Sequence, residues 1–202
     1  MRRFLALGDS YTIGEGVRPA ERWPAQLVAS LTASGIEMEE PEIIAHTGWT
    51  TDELQAAIKA AAPTGPYELV SLLIGVNNQY RGRLLGEYRA QFVKLLESAI
   101  RLAGKPKRVL VLSIPDWSVT PFAEGRDRGA IAAQIDRFND VNRKETAERW
   151  AGYVDVTPVS RKFSHLPEFL TSDGLHPSGR MYAEWARLVG PAALRALGIA
   201  TG

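Results

Sequence analysis

"LVSLLIG", residues 69–75, is apolar at every position except Ser71 and the closing glycine. A strand with one wet face alternates apolar and polar residues. A short, nearly continuous apolar run ending at a glycine instead marks a strand covered on both faces. "RVLVLSI", residues 108–114, repeats the pattern. Strands of this kind belong to parallel sheets packed between helices, and the chain on either side supplies the remaining parts. Phe4–Leu7, Glu42–Ala45 and Tyr153–Val156 read as further strands beside Leu69–Ile74 and Arg108–Ile114. Helical patterns separate them. Residues 22–34 carry Trp23, Leu27, Val28 and Leu31 on one side. Thr50 and Glu53 have the spacing of a capping box for the next helix. Tyr88, Phe92, Leu95, Leu96 and Ala99 follow helical spacing, as do Ile131, Ile135, Phe138 and Val141. A last helix contains Met181, Trp185 and Leu188, with Pro191 expected to interrupt it. There is no repeat, low-complexity tract or linker, so residues 1–202 are expected to form a single α/β domain of three layers, α/β/α, around a five-stranded parallel sheet.

Composition narrows the function. The 202 residues are 45% hydrophobic and 23% charged with a formal charge of +1, which provides no general attraction to nucleic acid or an anionic membrane. Glu37, Glu39, Glu40 and Glu42 form a small acidic cluster, and Arg81, Arg83 and Arg89 a basic one; both read as solvated surface. The absence of cysteine excludes disulfides, thiolate metal sites and a cysteine nucleophile. Arg2 and Arg3 precede apolar residues, as in an export signal, but Phe4–Leu7 is shorter than the roughly 7–15 apolar residues such a signal needs. No apolar run reaches membrane-spanning length. The expectation is a cytoplasmic protein with no integral membrane association and no nucleic-acid partner.

Ligands of open parallel sheets bind beyond the carboxyl ends of the strands. The residues there are Gly8-Asp9-Ser10, His46-Thr47-Gly48, Gly75-Val76-Asn77 and Pro115-Asp116-Trp117, four turns expected on one edge. In "GDSYTIGEG", residues 8–16, Ser10 is open to two readings, a nucleophile or a turn and cap residue. A phosphate cradle fits poorly, because Gly8, Gly14 and Gly16 do not make G-x-G-x-x-G. A serine nucleophile requires a base, and the chain has His46, His165 and His176. In "TSDGLHPSGR", residues 171–180, Asp173 stands three positions before His176 across a turn containing Gly174. A carboxylate there can fix the imidazole tautomer while the other ring nitrogen faces Ser10; the same residues could equally cap a turn and lead into the last helix. His46 lacks a carboxylate placed like Asp173 and reads as a supporting or structural residue. No H-E-x-x-H or comparable ligand spacing occurs, so neither a metal nor another cofactor is expected. Ser10 N–H, Gly48 N–H and the Asn77 amide are candidate oxyanion donors, with plain turn roles for Gly48 and Asn77 as the alternative.

Taken together, "GDSYTIGEG", Gly48 in "HTGWTT", Gly75 and Asn77 in "IGVNNQYRG", and Asp173 and His176 in "DGLHP" resemble the SGNH (GDSL-type) serine hydrolase superfamily, with its bacterial esterases and lysophospholipases. The resemblance spans residues 8–177. It implies a flavodoxin-like α/β/α fold and a metal-free serine esterase acting on a small-molecule or acyl-chain ester. Ser10 would be the nucleophile, His176 the base, Asp173 its orienter, and Ser10, Gly48 and Asn77 the oxyanion hole. Two residues depart from the family pattern. Tyr11 follows Ser10 where leucine is usual, which implies altered packing beneath the nucleophile. Asn78 stands where aspartate is common, which affects the loop's supporting hydrogen bonds. Trp49, Tyr80, Trp117, Phe122 and Leu175 lie near the proposed active edge and either line a substrate pocket or fill the core. Residues 115–129 read as a loop or partial lid. Two other functions fit the same chain: an acyltransferase using the same triad, and a non-catalytic flavodoxin-like ligand-binding protein.

Overall fold

The structure is a computed structural model that describes residues 1–199. From the N-terminus the chain forms β1 (Phe4–Gly8), α1 (Ser10–Ile13), α2 (Trp23–Ala33), β2 (Glu42–Ala45) and α3 (Thr51–Ala61). It continues through β3 (Leu69–Leu73), α4 (Val76–Tyr80), α5 (Leu85–Ala103), β4 (Val109–Leu112) and α6 (Arg128–Glu148). The last elements are β5 (Gly152–Val154), α7 (Thr157–Phe163) and α8 (Gly179–Ala196). The five strands pair parallel in the order β2-β1-β3-β4-β5, with Leu7 opposite both Ile44 and Leu72. This is the flavodoxin-like order, in which the chain reverses direction across the sheet between β1 and β3.

Burial explains the pattern of strands. Every residue of β1, β3 and β4 is buried, because helices cover both faces: α2 packs against α8 in one layer, while α3, α5 and α6 pack together in the other. The edge strand β2 is only partly covered, and β5 is three residues long, which limits the unpaired edge it presents. Trp23, Trp185, Tyr88 and Phe92 are fully buried within the core.

Several expected boundaries move, each for a local reason. Arg108 ends a short 3-10 turn rather than opening β4. Beyond Leu112 the backbone leaves the sheet, and Ile114 N–H donates to Asn139 Oδ1 on α6 at 2.7 Å. β5 stops at Val154 because Asp155 turns to accept the N–H of Thr157 at 3.1 Å, at the start of α7. Pro191 does not interrupt α8. It lies on the exposed side of the helix, where the carbonyl that loses its partner can bind water instead. The reach-back half of the capping box at α3 is present, with Thr50 N–H donating to Glu53 Oε2 at 2.8 Å. Among the described residues, no helix is long and apolar enough to cross a membrane.

Candidate active site

β1 delivers Ser10 to the sheet edge. Directly after the strand, Asp9 Oδ1 accepts the N–H of Tyr11 at 3.1 Å and starts the single turn of α1 at Ser10. Ser10 is 4% exposed and lines a cavity of about 190 Å³. Asp9 itself is fully buried, and its second oxygen has no partner among the described residues. Burial pushes its carboxyl up to about 7, against the opposing hydrogen bond from Tyr11.

His176 reaches the same cavity from the turn before α8. The turn closes where Thr171 N–H donates to the His176 carbonyl at 2.8 Å. Asp173 sits inside it and accepts four hydrogen bonds. Oδ1 takes the Thr171 hydroxyl at 2.7 Å, Leu175 N–H at 2.8 Å and His176 N–H at 3.0 Å. Oδ2 takes His176 Nδ1 at 2.6 Å. Partial burial alone would raise the Asp173 pKa, but the His176 ring, the two N–H groups and the hydroxyl outweigh it and hold the carboxyl far below the ordinary range. An ionised carboxylate accepts and does not donate, so Nδ1 carries the proton and Nε2 is left as the basic nitrogen. The Tyr11 ring packs 5.9 Å from the imidazole and 6.1 Å from Trp185, which gives the histidine an aromatic support. Tyr11, where leucine is usual, thus lies between His176 and Trp185. The Ser10 hydroxyl and the His176 ring share the cavity without a hydrogen bond between them, a contact that commonly tightens only when substrate binds.

The other two strand ends meet these residues. Gly75 has φ +132°, and a Cβ there would come within 2.6 Å of the Tyr88 hydroxyl, so only glycine lets the chain turn from β3 into α4. Asn77 then faces the cavity from the first turn of α4, and its Nδ2 donates to the Trp49 carbonyl at 2.9 Å. Gly48 lines the cavity with φ +88°, and its N–H meets no acceptor among the described residues. Asn78 turns away into the core. Its Oδ1 accepts Thr51 N–H at 3.1 Å and its Nδ2 donates to the Thr51 hydroxyl at 2.7 Å, which ties α4 to the start of α3. The departure at position 78 therefore leaves the loop braced by an amide where a carboxylate is common.

The apolar walls are Val76, Tyr80, Trp117, Phe122 and Leu175. Four of these were expected from the sequence; Val76, Tyr11 and Thr47 also line the cavity, and nothing in their spacing announced it. Trp49 does not line it. Its ring stacks on His46 at 5.4 Å, and only its backbone serves the site, through Asn77. Residues 115–129 are a braced wall. The Trp117 indole donates to Gln79 Oε1 at 2.9 Å, Phe122 N–H donates to the Gly174 carbonyl at 3.1 Å, and Asp116 accepts Arg161 Nε at 2.8 Å. The Arg126 guanidinium lies 5.3–5.6 Å from the rings of Tyr80, Trp117 and Phe122. The basic cluster lies at the surface, as expected, with Arg81 and Arg89 exposed and Arg83 half-buried. Arg83 and Arg89 pair with acids on neighbouring helices, whereas Arg81 bonds the Gly48 carbonyl at 2.7 Å.

A positioned serine, an imidazole oriented by a carboxylate, a free Gly48 N–H and the Asn77 amide beside an apolar cavity together form an arrangement suited to acyl transfer. The comparisons with known proteins agree in fold. The structure superposes on TesA with a TM-score of 0.75 at 21% identity, covering 97% of this chain and 99% of that one. For Axe2, an acetylxylan esterase from Geobacillus stearothermophilus, the TM-score is 0.69 at 21% identity, covering 98% and 95%. For a lipase/acylhydrolase from Enterococcus faecalis it is 0.67 at 22% identity, covering 95% and 94%. No curated protein sequence matches the chain. The model of the GDSL-like lipase/acylhydrolase family matches residues 6–184, the span that carries every turn described above, and the chain belongs to that family.

Proposed function

We propose that the protein is a serine esterase that hydrolyses small carboxylic esters through an acyl-enzyme on Ser10. The observation that carries the reading is the convergence of Ser10, the Asp173–His176 pair, Gly48 and Asn77 on one cavity from four separate turns. Ser10 Oγ attacks the ester carbonyl while His176 Nε2 takes its proton, and Asp173 stabilises the imidazolium that results. The tetrahedral oxyanion is received by the N–H groups of Ser10 and Gly48 and by the Asn77 amide. The imidazolium returns the proton to the departing alcohol. Water then attacks the acyl-enzyme with His176 again as base, releasing the acid and regenerating Ser10.

The cavity also supports a substrate size. Its volume of about 190 Å³ is small beside the roughly 300–1,000 Å³ usual for ligand pockets, and Tyr80, Trp117 and Phe122 close its apolar side. A short acyl group fits within that space, whereas a long chain would have to extend out of it past the exposed rings of Tyr80 and Phe122. The test is hydrolysis of p-nitrophenyl acetate, butyrate, octanoate and laurate by the wild type, Ser10→Ala and His176→Ala. The expected result is an optimum at acetate or butyrate and loss of turnover in both folded variants. Undiminished turnover in either variant would reject the assigned nucleophile or base.

A further inference from the structure

We infer that His46 and Arg81 are positioning residues that aim the Gly48 N–H at the oxyanion, an inference that rests on the esterase reading above. Gly48 sits at φ +88°, and without a Cβ its own conformational preference does little to fix the adjoining peptide planes. Both planes are nevertheless held by side chains, one from within the loop and one from beyond it. The peptide joining Thr47 to Gly48 is planar and trans, so its carbonyl and its N–H point in opposite directions. The Thr47 carbonyl is paired with His46 Nδ1 at 2.9 Å. A carbonyl only accepts, so Nδ1 carries the proton of this bond. Holding that oxygen toward His46 turns the Gly48 N–H the other way, where it meets no acceptor among the described residues and stays available to the cavity. The next peptide is fixed by Arg81, whose Nη2 donates to the Gly48 carbonyl at 2.7 Å.

The two anchors are themselves held. Arg81 Nη1 lies 3.4 Å from Glu53 Oε2, the same oxygen that accepts Thr50 N–H at the start of α3. The His46 ring stacks on Trp49, and the Trp49 carbonyl receives the Asn77 amide at 2.9 Å. The Gly48 and Asn77 donors therefore hang on one frame built from His46, Trp49, Arg81 and Glu53. A hydrogen bond donated to the Thr47 carbonyl also polarises that peptide and strengthens the Gly48 N–H as a donor.

The experiment compares the wild type with His46→Ala, Arg81→Ala and Arg81→Lys. Arg83→Ala serves as a control, since Arg83 pairs with Asp52 and Glu87 and does not bond Gly48. Two quantities are read: kcat and KM for p-nitrophenyl acetate, and inhibition by a small alkyl boronic acid, whose adduct with a serine mimics the tetrahedral oxyanion. Losing an oxyanion donor outright costs roughly 10²–10³-fold in kcat; loosening one is expected to cost about tenfold for His46→Ala and for Arg81→Ala. KM should stay within about twofold, since both bonds act in the transition state rather than on substrate binding. Boronate affinity should fall in parallel with kcat, Arg81→Lys should recover part of both, and Arg83→Ala should match the wild type. Folded His46→Ala and Arg81→Ala proteins with wild-type kcat and boronate affinity would overturn the inference while leaving the esterase reading intact. Equal losses in Arg83→Ala would also overturn it, as a general effect of the loop. A wild type inert toward every ester would remove the esterase reading and this inference with it.

Discussion

Asp173→Asn is the substitution whose effect follows most directly from the geometry. Asp173 divides its work between its two oxygens. Oδ1 holds the turn through the Thr171 hydroxyl, Leu175 N–H and His176 N–H, while Oδ2 faces only His176 Nδ1. An asparagine can keep its carbonyl oxygen in the first position and retain all three bonds that shape the turn. Its NH₂ then occupies the second position, 2.6 Å from Nδ1 in the parent. Two donors cannot share a hydrogen bond, so Nδ1 must give up its proton and accept instead. In the neutral ring the proton moves to Nε2, and the nitrogen that should deprotonate Ser10 becomes a donor. In the proposed mechanism the imidazolium would also lose its counter-charge. Inverting the tautomer of a Ser-His-Asp triad in this way lowers kcat by roughly 10³–10⁴-fold, equivalent to about 4–5.5 kcal/mol. Steady-state hydrolysis of p-nitrophenyl acetate, with thermal unfolding of the same samples, measures both halves of the argument. The expected outcome is a collapse of kcat, an unchanged KM and a lowered unfolding midpoint at neutral pH, because the neutral amide loses the charge-assisted bonds that depress the Asp173 pKa while the turn itself is kept. A folded Asp173→Asn enzyme within tenfold of the wild type would refute the role assigned to the carboxylate.

Two further outcomes follow from other parts of the site. Phe122→Ala opens the aromatic wall and should shift preference toward longer acyl chains. Room for two more buried methylenes is worth about 1.6 kcal/mol, so the kcat/KM ratio of octanoate to acetate should rise about tenfold, and an unchanged ratio would place the acyl group elsewhere. Asp9 gives a pH signature in stability. Its carboxyl is raised from 3.8 to about 7 in the folded protein, so the unfolded chain ionises first as pH rises. The folded state then holds the extra proton, and stability falls between about pH 4 and 7, by on the order of 4 kcal/mol at about 1.36 kcal/mol per pH unit. Below that window both states are protonated, and above it both are ionised. Asp9→Asn keeps an acceptor for Tyr11 N–H and cannot ionise, so its urea midpoint should be flatter across the window; a slope equal to that of the wild type would contradict the buried-acid explanation.

The central strands were the most legible part of the chain, because burial on both faces leaves an apolar run in β3 and β4 broken only by Ser71. Their ends were less legible because partners outside the strands decide them: Asn139 draws Ile114 off the sheet, and Asp155 takes the Ser113 hydroxyl and the Thr157 N–H. Pro191 looked like a helix break only because its exposure could not be read from its neighbours. Within the site, Asp173 and His176 stood out because the pair is only three residues apart and its chemistry is local. Gly48 and Asn77 were found through their position after strands and through the family pattern. Trp49 was placed in the pocket by proximity to Gly48, but a residue next to a site in sequence can point the other way, and its ring lies against His46. Arg81 was hidden in a basic cluster, since its bond to Gly48 joins residues 33 positions apart and no local spacing announces it.

The most direct test of the account is covalent capture of the nucleophile. The protein would be treated with a small alkyl fluorophosphonate, and the modified residue located by peptide mass spectrometry in the wild type, Ser10→Ala and His176→Ala. The expected result is one phosphonyl group on Ser10 in the wild type, none in Ser10→Ala, and greatly slowed labelling in His176→Ala. A wild type that resists the reagent, or carries it on another residue, would contradict the claim that Ser10 is the activated nucleophile.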